Sequence, residues 1–349
     1  IKLLMAYTTI PKSSDYFNTK LWTGNSSTQA ITGIGFATDI FWGKNRSGTQ
    51  SHQLLDIIRG ANNILIPNTT AVALADSQIL NSFDSAGYTL GSQDQLNDTG
   101  QTYVGWNWKA GGAGSSNTDG SINTTKTSAN TTSGCSIITY TGNATAGATI
   151  GHGLGIKPSM VIIKNLAGND WIVYTQSLTA NKILYLNSTG GFNDNNVFFN
   201  DTEPTDSLIT LGSIGATNGS GVPMIAYCFS DVQGYSKQGS YIGNGNATTP
   251  TFTYLGFKPS FVLIKNTTQA DAWFLHDSKR DGFNDDNEYL RPNLVDGDSS
   301  GTNRIRLLSN GFSVPTTDKS HNVNGNNYVY MAFAEAPLVG TNNVPANAR

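Results

Sequence analysis

Charge is what this sequence has least of. Asp, Glu, Lys and Arg together make up 13% of its 349 residues, about half the usual share of a soluble chain. The 21 basic and 24 acidic residues leave a net charge of −3. No positive field exists to hold a phosphate backbone, which argues against a nucleic-acid partner. No apolar run approaches the roughly 18–20 residues of a bilayer-spanning helix, which argues against membrane insertion. The apolar stretch Ile1–Tyr7 is short for the core of a signal peptide. Two cysteines cannot make a disulfide scaffold. What remains is 38 glycines, abundant Asn, Ser and Thr, and a hydrophobic share of 38%. That share suffices for packed cores and excludes wholesale disorder. The length suggests two or three domains.

Internal repetition supplies the organisation. Three segments open with an aromatic before a Gly-Asn turn: Trp22-Thr23-Gly24-Asn25, Tyr140-Thr141-Gly142-Asn143 and Tyr241-Ile242-Gly243-Asn244. A strand ending in Lys-Asn follows in each, FATDIFWGKN (Phe36 to Asn45), IKPSMVIIKN (Ile156 to Asn165) and FKPSFVLIKN (Phe257 to Asn266). Trp171 and Trp273 then head the next apolar run, where the first copy has His52. The series continues with ILIPN (Ile64–Asn68), ILYLN (Ile183–Asn187) and YLRPN (Tyr289–Asn293). Each copy closes on an apolar strand whose matched positions are Val104, Trp106 and Trp108, then Ile225, Tyr227 and Phe229, then Val329, Met331 and Phe333.

Short runs rich in Ile, Val, Tyr, Phe and Trp, bounded by Gly, Asn, Pro and Asp, favour strands. The period-two alternation of the closing strands buries one face of each. The expected fold is all-β: three tandem antiparallel β-sandwich domains of jelly-roll or immunoglobulin size. The boundaries are an N-terminal arm at 1–15, repeat 1 at 16–110, a Gly/Ser/Thr/Asn linker at 111–134, repeat 2 at 135–232, repeat 3 at 233–337 and a tail at 338–349. Leu54–Ala61 is the one stretch with helical character. The linker has almost no large apolar residue, so it reads as exposed chain or as an arm that orders against a neighbour.

The stretch Ser133–Asn165, the segments FKPSFVLIKN, AWFLHDSKR (Ala272–Arg280) and LLSNGFSV (Leu307–Val314), the ending VPANAR (Val344–Arg349) and the opening Met5–Asn25 carry a resemblance. They are similar to a domain repeated in structural, tail-fibre-like proteins of tailed phages. The resemblance implies a β-rich, non-enzymatic, virion-associated and oligomeric protein, with no catalytic residues to carry over.

Searches for chemistry agree with that expectation. G-x-S-x-G, P-loop, H-E-x-x-H and strand–G-x-G-x-x-G–helix patterns are all missing. His52, His152, His276 and His321 share no metal-ligand spacing. His276-Asp277 is a catalytic pair only if one repeat differs from the others. Asp194 in GFNDNN, and Asp285 and Asp286 in GFNDDNE, are weak calcium candidates whose simpler reading is turn chemistry. Asp201, Glu203 and Asp206 are the carboxylates a glycoside-cleaving enzyme would need. Trp171 and Trp273 read as core, whereas Tyr235, Tyr241 and Tyr254 are candidates for carbohydrate stacking. Cys135 and Cys228 fall in the first and last strands of repeat 2, where a bridge and two free buried thiols are both open. Asn25, Asn68, Asn143, Asn187, Asn246 and Asn266 are glycosylation candidates if a glycosylating host exports the chain.

The expected function is a non-catalytic structural subunit of an extracellular or virion-associated fibre or appendage, self-assembling into a homo-oligomer or filament. It needs no cofactor and no metal. Its expected partners are further copies of itself, other virion proteins or surface glycans. Ile1, Leu3 and Leu4 are the candidate assembly arm, through strand addition to an open sheet edge. The alternatives are a host-surface glycan-binding adhesin and a polysaccharide depolymerase.

Overall fold

The computed structural model describes residues 7–280, 284, 288–301 and 304–339. In each repeat the same four strands lie side by side, antiparallel and in the same spatial order, as a four-stranded sheet in repeats 1 and 3 and within a seven-stranded sheet in repeat 2. The opening strands are Phe17–Thr23, Cys135–Thr141 and Ser236–Ile242. Each lies beside its closing strand, Thr102–Trp108, Pro223–Phe229 or Asn327–Pro337. Next come the Lys-Asn strands, Ile40–Asn45, Met160–Asn165 and Phe257–Asn266. The outer strands, Gln53–Asp56, Trp171–Thr175 and Trp273–Asp277, follow. A smaller sheet packs on one face of each, built around Gly87–Leu90, Leu208–Thr210 or Gly311–Ser313. The all-β antiparallel sandwich class is as the alternation dictates.

The arrangement of the sandwiches is not a string. The closing-strand faces expected to be buried, Val104-Trp106-Trp108 and their equivalents, all enter one central cluster. Trp108, Phe229 and Phe333 occupy the same position in the three repeats. Their ring centroids lie 6.2, 5.8 and 5.6 Å apart pairwise. Three equivalent side chains in mutual contact define an axis, so the repeats close around it and share a core. The opposite face of each sheet keeps a private core under its small sheet: Trp22, Phe41 and Tyr88 in repeat 1, Tyr140, Ile163 and Tyr174 in repeat 2, and Phe257, Phe312 and Tyr330 in repeat 3.

Three expectations are corrected. The linker is not a free strap, because Lys126–Asn130 pairs antiparallel with the opening strand of repeat 2. Ile122 also bridges Ile150 in parallel and is buried. A Ser/Thr-rich segment has too little apolar surface for a core of its own, yet its backbone can saturate an open sheet edge. Leu54–Ala61 is a strand end and a turn, because the Asp56 carboxylate accepts the Arg59 backbone N–H at 2.9 Å and closes the chain there. Within the arm, Ile10 is fully buried in the central cluster. Ile1, Leu3 and Leu4 lie outside the described residues.

The Gly-Asn turns recur for a steric reason. A Cβ on Gly24, Gly142 or Gly243 would stand 2.2, 2.3 or 2.3 Å from a backbone oxygen of the turn that precedes the closing strand. Only glycine permits that approach. These turns mark one end of the molecule, beside the start of each closing strand. At the other, the Tyr7 hydroxyl and the Leu338 N–H both donate to Gly256 O, at 2.6 and 3.2 Å.

Candidate functional site

The junctions between repeats hold several buried polar and charged groups. At the head of each outer strand an aromatic ring reaches into the preceding repeat. Trp171 Nε1 donates to Ile66 O at 3.2 Å, and Trp273 Nε1 to Tyr185 O at 2.9 Å. His52 completes the circle, with Nε2 3.2 Å from Arg291 O. Ile66, Tyr185 and Arg291 are equivalent positions, so repeat 2 holds 1, repeat 3 holds 2 and repeat 1 holds 3. Trp42 Nε1 donates to His52 Nδ1 at 3.0 Å, which leaves the proton on Nε2. Burial, with Lys44 nearby, keeps the His52 pKa well below its usual value. The backbone N–H groups of these three residues donate to Asn68, Asn187 and Asn293 Oδ1 at 3.0, 2.9 and 2.9 Å. That is the role of the Asn ending each I-L-x-x-N-like run.

The Lys of each Lys-Asn strand is buried and caps carbonyl groups, in repeats 2 and 3 across the junction to the preceding repeat. Lys164 Nζ donates to Thr70 O at 3.1 Å and to Asn169 O. Lys265 donates to Thr189 O at 3.0 Å and Asp271 O at 2.7 Å. Lys44 binds carbonyls within its own repeat, Asn45 O at 2.6 Å and Gly48 O at 3.2 Å. Burial lowers all three pKa values to about 8. They stay charged at neutral pH and act as buried cationic clamps.

Two junctions carry a buried carboxylate. Asp56 accepts the Tyr227 hydroxyl of repeat 2 at 2.8 Å and Arg59 Nε at 2.6 Å. Asp277 accepts the Trp106 indole of repeat 1 at 3.0 Å and Arg280 Nε at 2.6 Å. Burial alone would raise the Asp277 pKa; the Arg280 guanidinium overrides it and holds the group below the usual range. The equivalent positions at the third junction are Thr175, Leu178 and Met331, so acid, base and donor are all replaced together. Between repeats 3 and 1, Arg46 adds ion pairs to Asp298 at 2.5 Å and Glu288 at 3.1 Å.

A further buried set was not legible in the sequence. Asn97, Asn218 and Asn322 accept the backbone N–H of Asn25, Asn143 and Asn244 at 2.9, 2.8 and 2.9 Å. Their amides also donate to carbonyls around each turn. Their common spacing, five residues before the start of each closing strand, was the available signal.

The other candidates fall apart or turn inward. His276 and Asp277 point to opposite faces of their strand: His276 Nε2 lies 2.9 Å from His321 Nε2, while Asp277 faces the central core. Glu203 binds Lys157 at 2.8 Å and also Tyr174. Burial would raise its pKa, yet Lys157 and Tyr174 hold it below normal, the opposite of a general acid. Exposed Asp194 binds Asn181 at 3.0 Å. Asp285 and Asp286 lie outside the described residues. No group of three or more His, Cys, Asp or Glu able to hold a metal occurs among the described residues. Tyr235 and Tyr241 are buried, and only Tyr254 is exposed. Cys135 belongs to the central cluster and Cys228 to the private core of repeat 2, on opposite faces of one sheet. Both are free thiols, which corrects the candidate bridge.

Among the sequons, Asn266 is fully buried and gives its amide to Lys319 O. Asn68 and Asn187 accept the His52 and Trp171 N–H on Oδ1 and give their amides to Ser51 Oγ at 3.2 Å and Asp170 Oδ1 at 2.8 Å. Asn25, Asn143 and Asn246 are exposed. An apolar cavity of about 20 Å³ lies in the central core, lined by Trp42, Trp108, Trp171 and neighbours, too small for an organic ligand.

Fold and junctions together define a closed, threefold-repeated all-β module whose buried polar groups join one repeat to the next. The chain belongs to the family described as a domain of unknown function (DUF7483), which matches residues 12–337 and so takes in all three repeats as one unit. No curated protein and no solved structure matches it.

Proposed function

We propose that the protein is a non-catalytic structural building block of an extracellular or virion-associated appendage, joined to further copies of itself or to neighbouring appendage proteins. The observation that carries this reading is the closure. The buried carboxylates, the indoles and two of the three lysines described above are spent on holding three sandwiches together, and Tyr7 and Leu338 meet at one end of the axis. Such a unit can be anchored at that end while its three Gly-Asn turns face outward. An appendage tip benefits from this rigidity, because a shared core resists separation of its parts. Immunogold electron microscopy of native particles tests the reading: label on a fibre, tip or filament supports it, and label confined to free soluble protein overturns it.

A second reading is glycan binding by the same unit. A groove of about 300 Å³ between repeats 2 and 3 is lined by Phe192, Lys182, Ser240, Thr268 and Asn327. Phe192 is 43% exposed, with Lys182 Nζ 5.2 Å from its ring. An exposed ring beside hydroxyl and amide groups suits a sugar face. Glycan-array binding lost on Phe192→Ala favours this reading; an unchanged array removes it.

A further inference from the structure

The junction between repeats 2 and 3 departs from its two equivalents. Asp56 with Arg59 and Asp277 with Arg280 fill the others. Thr175 and Leu178 stand here instead, and Leu178 lines the groove that also holds Phe192. Repeat 3 meets this place with Gln238, which pairs with Met331 in the register where Ile137 pairs with Tyr227 in repeat 2. Gln238 is 1% exposed, and neither its Oε1 nor its Nε2 has a hydrogen-bond partner among the described residues. A buried amide left wholly unsatisfied is costly and rare, and it points to a partner that arrives from outside. Gln238 projects from the same strand face as Ser240, two residues on. Ser240 lines the groove together with its cross-strand partner Val329. The amide therefore stands at the inner end of the groove, where a hydroxyl of an entering ligand supplies what it lacks. Thr179, in the same wall as Leu178, is held at φ +69°. β-Branched residues rarely adopt that conformation, and such strain gathers at ligand clamps.

Charge narrows the ligand. Among the described lining residues Lys182 is the only charged one. Asp194, its partner in the strand register, accepts Asn181 Nδ2 at 3.0 Å instead. Lys182 Nζ stands 5.2 Å from the Phe192 ring centroid, at the groove mouth. Resting on the glycan-binding reading above, we infer that the groove selects saccharides bearing a negatively charged group, a carboxylate or a sulfate ester. The sugar ring packs against Phe192, its anionic substituent meets Lys182 in a charge-assisted hydrogen bond, and a hydroxyl reaches the Gln238 amide. General attraction does not supply this preference, because the whole chain carries a net charge of −3 and repels anions at a distance.

A glycan array tests the inference with the full chain. It is printed with uronate-, sialate- and sulfate-bearing oligosaccharides beside their carboxyl-reduced or desulfated counterparts. Acidic members are expected to bind about tenfold more tightly than their neutral counterparts, and binding confined to carboxylates or to sulfates identifies the anion. Lys182→Met should erase the preference and keep the residual neutral binding, whereas Phe192→Ala should lose both. Gln238→Leu, which replaces the amide by an apolar group of similar size, should weaken acidic binding by about tenfold while its urea midpoint stays level or rises. A merely structural glutamine would lower the midpoint and leave affinity alone. Equal binding of acidic and neutral members overturns the inference and leaves the glycan reading standing; no binding to any member overturns both. A preference that survives Lys182→Met, or affinity untouched by Gln238→Leu, also overturns it.

Discussion

Replacing Asp56 by alanine should be among the most damaging single changes in the molecule, and the damage should be reversible by design. The carboxylate is fully buried and accepts Arg59 Nε at 2.6 Å, the Arg59 backbone N–H at 2.9 Å and the Tyr227 hydroxyl at 2.8 Å. Its removal strands a guanidinium whose side chain is 7% exposed. Breaking such a pair from one side costs about 3–5 kcal/mol, and the orphaned Tyr227 hydroxyl adds about 1 kcal/mol. The junction between repeats 2 and 3 shows how the same geometry is built without charge, with Thr175, Leu178 and Met331. The triple substitution Asp56→Thr/Arg59→Leu/Tyr227→Met transplants that solution. It should fall between unchanged and about 4 kcal/mol more stable than the parent, since apolar replacements of buried ion pairs are often neutral or better. Urea unfolding followed by tryptophan fluorescence and by circular dichroism measures both, and the shared core predicts coincident transitions. A single mutant within about 1 kcal/mol of the parent, or a triple mutant no better than the single, refutes the account of the junctions.

Three further outcomes follow from the same geometry. Asn218→Ala leaves the Asn143 N–H and the Gly212 carbonyl without their partner, and should lower stability by about 2–4 kcal/mol in the same urea assay. His52 and His321 are held neutral by burial, both well below the usual 6.5. The unfolded chain therefore takes up protons that the folded chain refuses as pH falls below about 6.5, so the contribution of these two histidines is flat above that pH and stability declines beneath it. Asp39 and Asp231, raised by burial, oppose the decline only in the carboxylate range; His52→Gln, which keeps a donor and an acceptor, should shrink the loss of urea midpoint between pH 7 and pH 5. Intact mass should be the same with and without reductant, because Cys135 and Cys228 face different cores; a gain of two hydrogens would contradict the sheet register.

Much of the fold was legible because it is written in periodicity. Val104, Trp106 and Trp108 alternate with smaller or polar residues, and the same positions repeat twice more, so the strands and their buried faces followed from side-chain spacing alone. What those faces bury against did not follow. An apolar face is equally satisfied by its own second sheet or by another repeat, and here the two faces of each large sheet do one of each.

The choice between string and ring rests on single hydrogen bonds whose donors differ in identity. His52 stands in for two tryptophans, and a Thr-Leu-Met set replaces an acid, a base and a hydroxyl or indole, so the equivalence shows only once the backbone places them. The linker failed differently: its composition correctly denied it a core, but an edge strand needs only backbone groups, which every residue except proline carries.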